Sequence, residues 1–175
     1  MLVKTFGSAI FGVNAMMITV EVSVDPGVNF TMVGLPDNAV KESQQRIATA
    51  VAQHGFHIPG KRIVVNLAPA DVRKEGAAYD LAIAIGILGA SGQMRADDLD
   101  KYVIMGELSL DGSLRPNCGF IVYHSHLLPY SIAVLIPLVI RLAPISANWS
   151  MSASMPLRIH EEMTVRMAPA QYWLE

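Results

Sequence analysis

The chain has 175 residues, a formal net charge of −2 and one cysteine. This length predicts one ordinary domain with a single core. The lone thiol, Cys118, excludes an internal disulfide, and no cleavable signal segment opens the sequence, so we expect a cytoplasmic protein. The near-neutral charge excludes a general electrostatic attraction to nucleic acid or to anionic membranes.

Strand patterns open the chain. Residues 3–10 and the alternating segment 18–24 are predicted strands, and a third strand at 29–35 follows the turn at 25–27. In the alternating segment every second side chain is apolar, which is typical of a strand with one buried face. These segments therefore predict the first half of a sheet.

A helix is predicted to follow the third strand. Asp37 or Asn38 is the expected N-cap, and Gly55 is the expected stop at the C-terminal end. Residues 41–46 are interpreted as a solvated face of this helix. The opposite face is apolar, with Val40, Ile47 and Val51.

The second half of the pattern is a strand at 63–67, a charged loop, and a helix from about Ala77 to Ala90. This helix is apolar on nearly every side, so it must be buried. A strand at 102–105 follows, and Asp111-Gly112 predicts a two-residue hairpin turn. The order β-β-β-α-β-α-β-β predicts an α+β fold in which helices pack on a sheet.

The loop before the buried helix carries the candidate interaction residues, which are Asp71, Arg73, Lys74, Glu75 and Asp80. Charges beside a buried helix are costly unless they face solvent, a partner or a ligand. One interpretation is a contact with another protein or with nucleic acid. The other is that Asp71 and Asp80 pair with Arg73 and Lys74 and fix the start of the helix.

No catalytic, nucleotide or metal site is predicted. The segment from Gly55 to Lys61 matches the phosphate-binding pattern G-x-x-x-x-G-K, but Arg62 follows where a Ser or Thr should hold magnesium. A helix also precedes the segment and a strand follows it, which reverses the order that a phosphate-binding loop needs. The five histidines lack the spacing with carboxylates or thiols that completes a metal site.

Four ordered motifs carry a family resemblance. They are VKTFGSAIFGVNA near the start, VGLPDNAVKES from Val33, NLAPADVRKEG from Asn66 and GELSLDG from Gly106. Over about residues 1–119 the chain resembles the N-terminal domain of the magnesium-chelatase-like AAA+ ATPases of the ComM (YifB) type. The resemblance implies a ribosomal protein S5 domain 2-like sheet with packed helices, shared with the Lon protease domain and incomplete here at the C-terminus.

For the full-length family, the resemblance implies an ATP- and magnesium-dependent, ring-forming motor linked to DNA processing in competence. For this chain it implies a non-catalytic module without a cofactor, truncated before the ATPase domain. The expected partners are the AAA+ ring subunits or its own missing ATPase domain, and DNA only through the full-length protein. A protease of Lon type is excluded, because Ala78 stands at the position of the nucleophile and the partner lysine would fall near Ile121.

The sequence changes character after Gly119. The run from Phe120 to Ile140 carries no charge, and its length and hydropathy qualify it as a candidate membrane span. One interpretation makes residues 120–175 an unmatched and frame-shifted tail behind a folded region at 1–119. The alternative is a small membrane-anchored protein that uses the run as its anchor. We favour the first interpretation, because two prolines weaken the run as a membrane helix.

Overall fold

The computed structural model describes residues 1–11, 14–97, 99, 102–115 and 131–134, with the backbone alone for residues 10, 11, 14 and 131–134. The predicted order of elements up to the hairpin is confirmed. The elements are β1 (Leu2–Phe11), β2 (Asn14–Asp25), β3 (Asn29–Val33), α1 (Asn38–Gln53), β4 (Arg62–Ala68), α2 (Asp80–Ala90), β5 (Tyr102–Met105), β6 (Glu107–Leu108), β7 (Leu114–Arg115) and β8 (Ser131–Val134).

Among the described residues the sheet is mixed and has six strands in the order β3-β4-β2-β1-β5-β8. β1 and β2 form a long antiparallel pair, and β4 joins β2 antiparallel. β3 adds to β4 in parallel, and β5 and β8 continue the sheet in parallel on the other side. This architecture, which over the described ranges is a mixed sheet with two helices, agrees with the predicted α+β class. Within the described residues, β3 lies at one edge of the sheet.

The core lies between the sheet and the helices. α2 packs on β1 and β2, and α1 packs on α2. Every residue of α2 except Ile85 is buried, which confirms the prediction of a helix enclosed on all sides. Gly86 permits close packing, because a Cβ at this position would lie 2.6 Å from Cγ2 of Val22. The Thr5 hydroxyl also donates a hydrogen bond of 3.0 Å to the carbonyl of Ala82, which ties β1 to the helix.

β2 begins at Asn14, four residues before its predicted start, and two further boundaries were wrong for local reasons. β3 ends at Val33 rather than at residue 35, because Gly34 and Leu35 have φ values of +95° and +53° and so leave the extended conformation. α2 begins at Asp80 rather than at Ala77, because the Asp80 amide bonds to the Ala77 carbonyl at 3.1 Å in a preceding turn.

The predicted hairpin is confirmed, but its two-residue turn was wrong. Leu108 pairs with Leu114, and the Ser109 amide also donates to the Ser113 carbonyl at 2.9 Å, which leaves the three residues 110–112 as the loop. The Asp111 carboxylate accepts hydrogen bonds from the Ser113 amide at 2.9 Å and from its hydroxyl at 2.7 Å. These side-chain bonds stabilise a wider loop than the dipeptide alone predicts.

None of the helices in the described part of the chain is long and apolar enough to cross a membrane. Ser131–Val134, which belong to the apolar run from Phe120 to Ile140, form β8 beside β5. The rest of that run, and with it the alternative of a membrane anchor and the boundary at 119/120, lies outside the described residues.

Candidate functional site

The five candidate residues separate into a buried pair and an exposed group. Lys74 and Asp80 are both 0% exposed. Arg73 and Glu75 lie in solvent with 70% and 68% of their side chains exposed, and Asp71 is also exposed. Only the exposed group can therefore contact a partner directly.

Asp80 is held by an arginine from the other helix. Nε of Arg46 lies 2.7 Å from Oδ2 of Asp80, and Nη2 lies 2.9 Å from Oδ1. The Leu108 amide donates to Oδ2 at 3.3 Å. Burial raises the pKa of Asp80, although the hydrogen bonds and the positive charge of Arg46 lower it in part. The hydrogen bond to Asp80 raises the pKa of Arg46. These contacts join α1, α2 and β6.

The role of Arg46 was missed by the sequence analysis. Residues 41–46 were expected to form a solvated face, but Arg46 is half-buried and Ser43 is buried. The sequence feature that pointed to such a partner was Asp80, because a single carboxylate at the start of an apolar helix needs a cation beside it once it is buried. Its partner lies 34 positions away in the sequence, so no local spacing identifies it.

Lys74 fastens the charged loop to the end of β3. Its amide donates to the Leu35 carbonyl at 3.2 Å, and its carbonyl accepts from the Asp37 amide at 3.0 Å. Its ammonium group donates to the carbonyl of Pro69, which lies just before the charged loop at residues 71–76. Burial lowers the pKa of Lys74, and the charge of Asp71 opposes this shift.

The pairing expected between the aspartates and the cations of the loop was wrong for Asp80 and Arg73, whereas the charge of Asp71 does act on Lys74. Asp80 pairs with Arg46, and Arg73 lies 3.2 Å from Glu75 instead. Burial explains the first difference, because Asp80 lies in the interior, where Arg46 reaches it and the exposed Arg73 does not. Arg73 pairs with Glu75 because the two exposed side chains lie two positions apart in the loop.

Asp37 connects the loop to the first helix. Oδ1 of Asp37 accepts from the Val40 amide at 2.8 Å, which confirms the predicted N-cap of α1. Oδ2 accepts from the Gly76 amide at 3.1 Å. One carboxylate therefore fixes both the start of α1 and the end of the charged loop.

An open groove lies beside the charged loop, and we call it the Leu35 groove. Its volume is about 550 Å³. It is lined by Leu35, Pro36, Asp37, Asn38, Ala39, Lys41 and Arg73. The charged residues of the lining are Lys41, Arg73 and Asp37, and the Asp37 carboxylate is the one whose two oxygens accept backbone hydrogen bonds.

Lys74 gives the stability of the fold a definite pH dependence. Its pKa in the folded chain is lower than the unfolded value of 10.5, so the unfolded chain binds more protons between these two values. The free energy of unfolding contributed by Lys74 therefore rises with pH across this interval. We expect the wild type to gain stability relative to Lys74→Met when urea denaturation is repeated from pH 7 up to about pH 10.5.

Lys61→Met is the control for losing a lysine at an exposed position. The assignment would be contradicted if the difference in free energy of unfolding between wild type and Lys74→Met stayed constant with pH. It would also be contradicted if the variant gained stability relative to the wild type as pH rises.

Two other places where the sequence suggested a chemical motif, the segment from Gly55 to Lys61 and the position of Ala78, have structural roles in the fold. The segment from Gly55 to Lys61 joins the end of α1 to β4, so a helix precedes it and a strand follows it, as predicted. Ala78 packs against Val103 and Met105 just before α2. In the part of the chain that the structure describes, no group of three or more His, Cys, Asp or Glu side chains could hold a metal ion.

Comparison with known proteins identifies the family. The model of a family described as "Subunit ChlI of Mg-chelatase" matches residues 20–137, more than half of the chain. YifB of Escherichia coli is 52% identical over 108 residues, which cover 61% of this chain and 21% of that protein. The competence protein ComM of Haemophilus influenzae is 48% identical over 117 residues, covering 66% and 23%.

A protein of Mycobacterium tuberculosis is 36% identical over 119 residues, covering 66% of this chain and 23% of its own. The chain thus spans about a fifth of the length of these relatives. The resemblance noted in the sequence motifs is confirmed. The match to the family model over residues 20–137 shows that this chain belongs to the magnesium-chelatase subunit ChlI family.

Proposed function

We propose that this chain is a non-catalytic interaction module of a magnesium-chelatase-like ATPase, with the motor outside these residues. The charged loop, residues 71–76, contacts the ATPase domain of its own chain or of a neighbouring ring subunit. The observation that carries this proposal is the contrast between the fixed base of the loop and its exposed charges. Lys74 and Asp37 fasten the backbone, while Asp71, Arg73 and Glu75 point into solvent.

A loop that is ordered before binding loses little conformational entropy on binding, so its charges select a partner at low cost. The fold proposed for the module is the ribosomal protein S5 domain 2-like sheet. ATP and magnesium belong to the full-length protein in this proposal, as does any role in DNA processing or competence. The module would act in the cytoplasm.

The experiment measures binding of the purified chain to the part of E. coli YifB outside the 108 matched residues, in the presence of ATP and magnesium. We expect saturable binding that Arg73→Glu weakens by about tenfold or more, as reversal of a charge at an interface does. Lys61→Glu is the matched control, because it reverses an exposed charge away from the loop. Absence of binding, or equal losses in the two variants, would refute the proposal.

A further inference from the structure

In the part of the chain that the structure describes, the edge of the sheet at β3 lacks the usual protection against pairing with another strand. Within the described residues β3 pairs with β4 alone. Its five residues, Asn29–Val33, include no charged side chain and no proline, and the pairing with β4 is continuous. Natural proteins usually protect such edges with charges, prolines or bulges. The outer side of β3 therefore offers its backbone to an added strand.

This edge continues into the Leu35 groove. Beyond β3, Lys74 bonds to Leu35 and Asp37 on the side that faces the charged loop. Val33 and Leu35 remain 42% and 56% exposed. Leu35 is also the one non-glycine residue with positive φ in the described part of the chain, at +53°. Its backbone bond to Lys74 holds an apolar side chain in solvent at a conformational cost, which is typical of a binding surface.

The groove supplies the charge that an added strand would meet at this end. Lys41 and Arg73 line it together with the carboxylate of Asp37, which already accepts hydrogen bonds from two backbone amides, so the lining carries two positive charges and one negative charge. Arg73 pairs with Glu75 only at the surface, where such pairs contribute little and exchange readily. The uncharged edge and the net positive charge of the groove lining together match an extended segment that is neutral along its length and acidic at one end.

We infer that β3 and the Leu35 groove bind one extended peptide segment, which adds to the sheet beside β3 and places an acidic side chain between Lys41 and Arg73. Backbone hydrogen bonds to β3 provide affinity in this binding mode, and side-chain contacts provide selectivity. The inference rests on the proposed function, because it names the chemistry of the polypeptide that the module binds.

The test uses the full chain and fluorescent ten-residue peptides, amidated at the C-terminus, that tile E. coli YifB outside its matched region. We expect the bound peptides to contain Asp or Glu, and Lys41→Glu combined with Arg73→Glu to weaken them by about tenfold or more. The same double variant should prefer a peptide in which Lys replaces the acidic residues. Lys61→Glu, at an exposed lysine next to the first residue of β4, is the control and should bind like the wild type.

Strand addition has a separate readout. Hydrogen exchange followed by mass spectrometry should slow within residues 29–33 when the peptide binds, because a new strand protects the outer amides. Methylation of alternate peptide amides should abolish binding. The inference would be overturned if hydrogen exchange slowed only outside residues 29–33, or if the methylated peptides bound as well as the unmethylated ones. It would also be overturned if no peptide bound.

The two proposals can fail separately. If the intact ATPase portion binds and no tiled peptide does, the interaction module stands and the peptide site falls. If peptides bind and slow exchange in β3 while the intact portion does not bind, the peptide site stands and its assignment to the ATPase falls.

Discussion

Arg46→Met is expected to lower the free energy of unfolding by about 3–5 kcal/mol, because removing one partner of a buried ion pair leaves the other charge uncompensated. Asp80 has 1% of its side chain exposed and receives two hydrogen bonds from Arg46. Without the bonds from Arg46, the Asp80 carboxylate still accepts a hydrogen bond from the Leu108 amide, which carries no charge. Guanidinium denaturation at pH 7 measures the loss. The deficit should shrink near pH 4, because protonation removes the buried charge.

Two further variants separate the buried charge from a general effect of losing arginine. Arg62→Met removes an exposed arginine that lies 3.9 Å from Asp25, and it should cost less than about 1 kcal/mol. The double variant Arg46→Met/Asp80→Leu should recover most of the loss, because apolar residues often replace a buried ion pair at little cost. If Arg46→Met is no worse than Arg62→Met, the pair does not hold the two helices together.

Gly34→Ala is expected to destabilise the fold by at least about 3 kcal/mol, because it combines backbone strain with a steric overlap. Gly34 has a φ of +95°, and a Cβ at this position would overlap the carbonyl oxygen of Leu67 in the neighbouring strand. A backbone oxygen cannot move aside as the end of a flexible side chain can, so β3 and β4 would have to separate. The midpoint of guanidinium denaturation is the measurement.

Gly55→Ala is the matched control for Gly34→Ala. Gly55 has a φ of +79°, but an added Cβ there would meet no atom within 4 Å. We expect it to cost about 1 kcal/mol from backbone strain alone. The difference between the two variants reports the overlap with Leu67. Equal losses would mean that close approach of the backbone at Gly34 is not required.

Elements governed by local rules could be predicted closely. The alternation of β2, the cap at Asp37 and the fully apolar α2 all follow from sequence patterns within a few residues, and each is confirmed. Boundaries were less accurate where backbone conformation ended an element. Leu35 is an example, because a leucine gives no sign that its φ will be positive.

The candidate site shows the same division between local and distant contacts. Sequence alone determined that the segment from Asp71 to Asp80 concentrates charge beside a buried helix, and the motifs identified the family. Only the tertiary structure decided which charges are available, because burial depends on elements that meet from distant parts of the chain. α1 brings Arg46 to Asp80 across 34 positions, and Lys74 is buried where it bonds to the chain beyond β3. Two of the five candidate charges are therefore buried, and the other three face solvent.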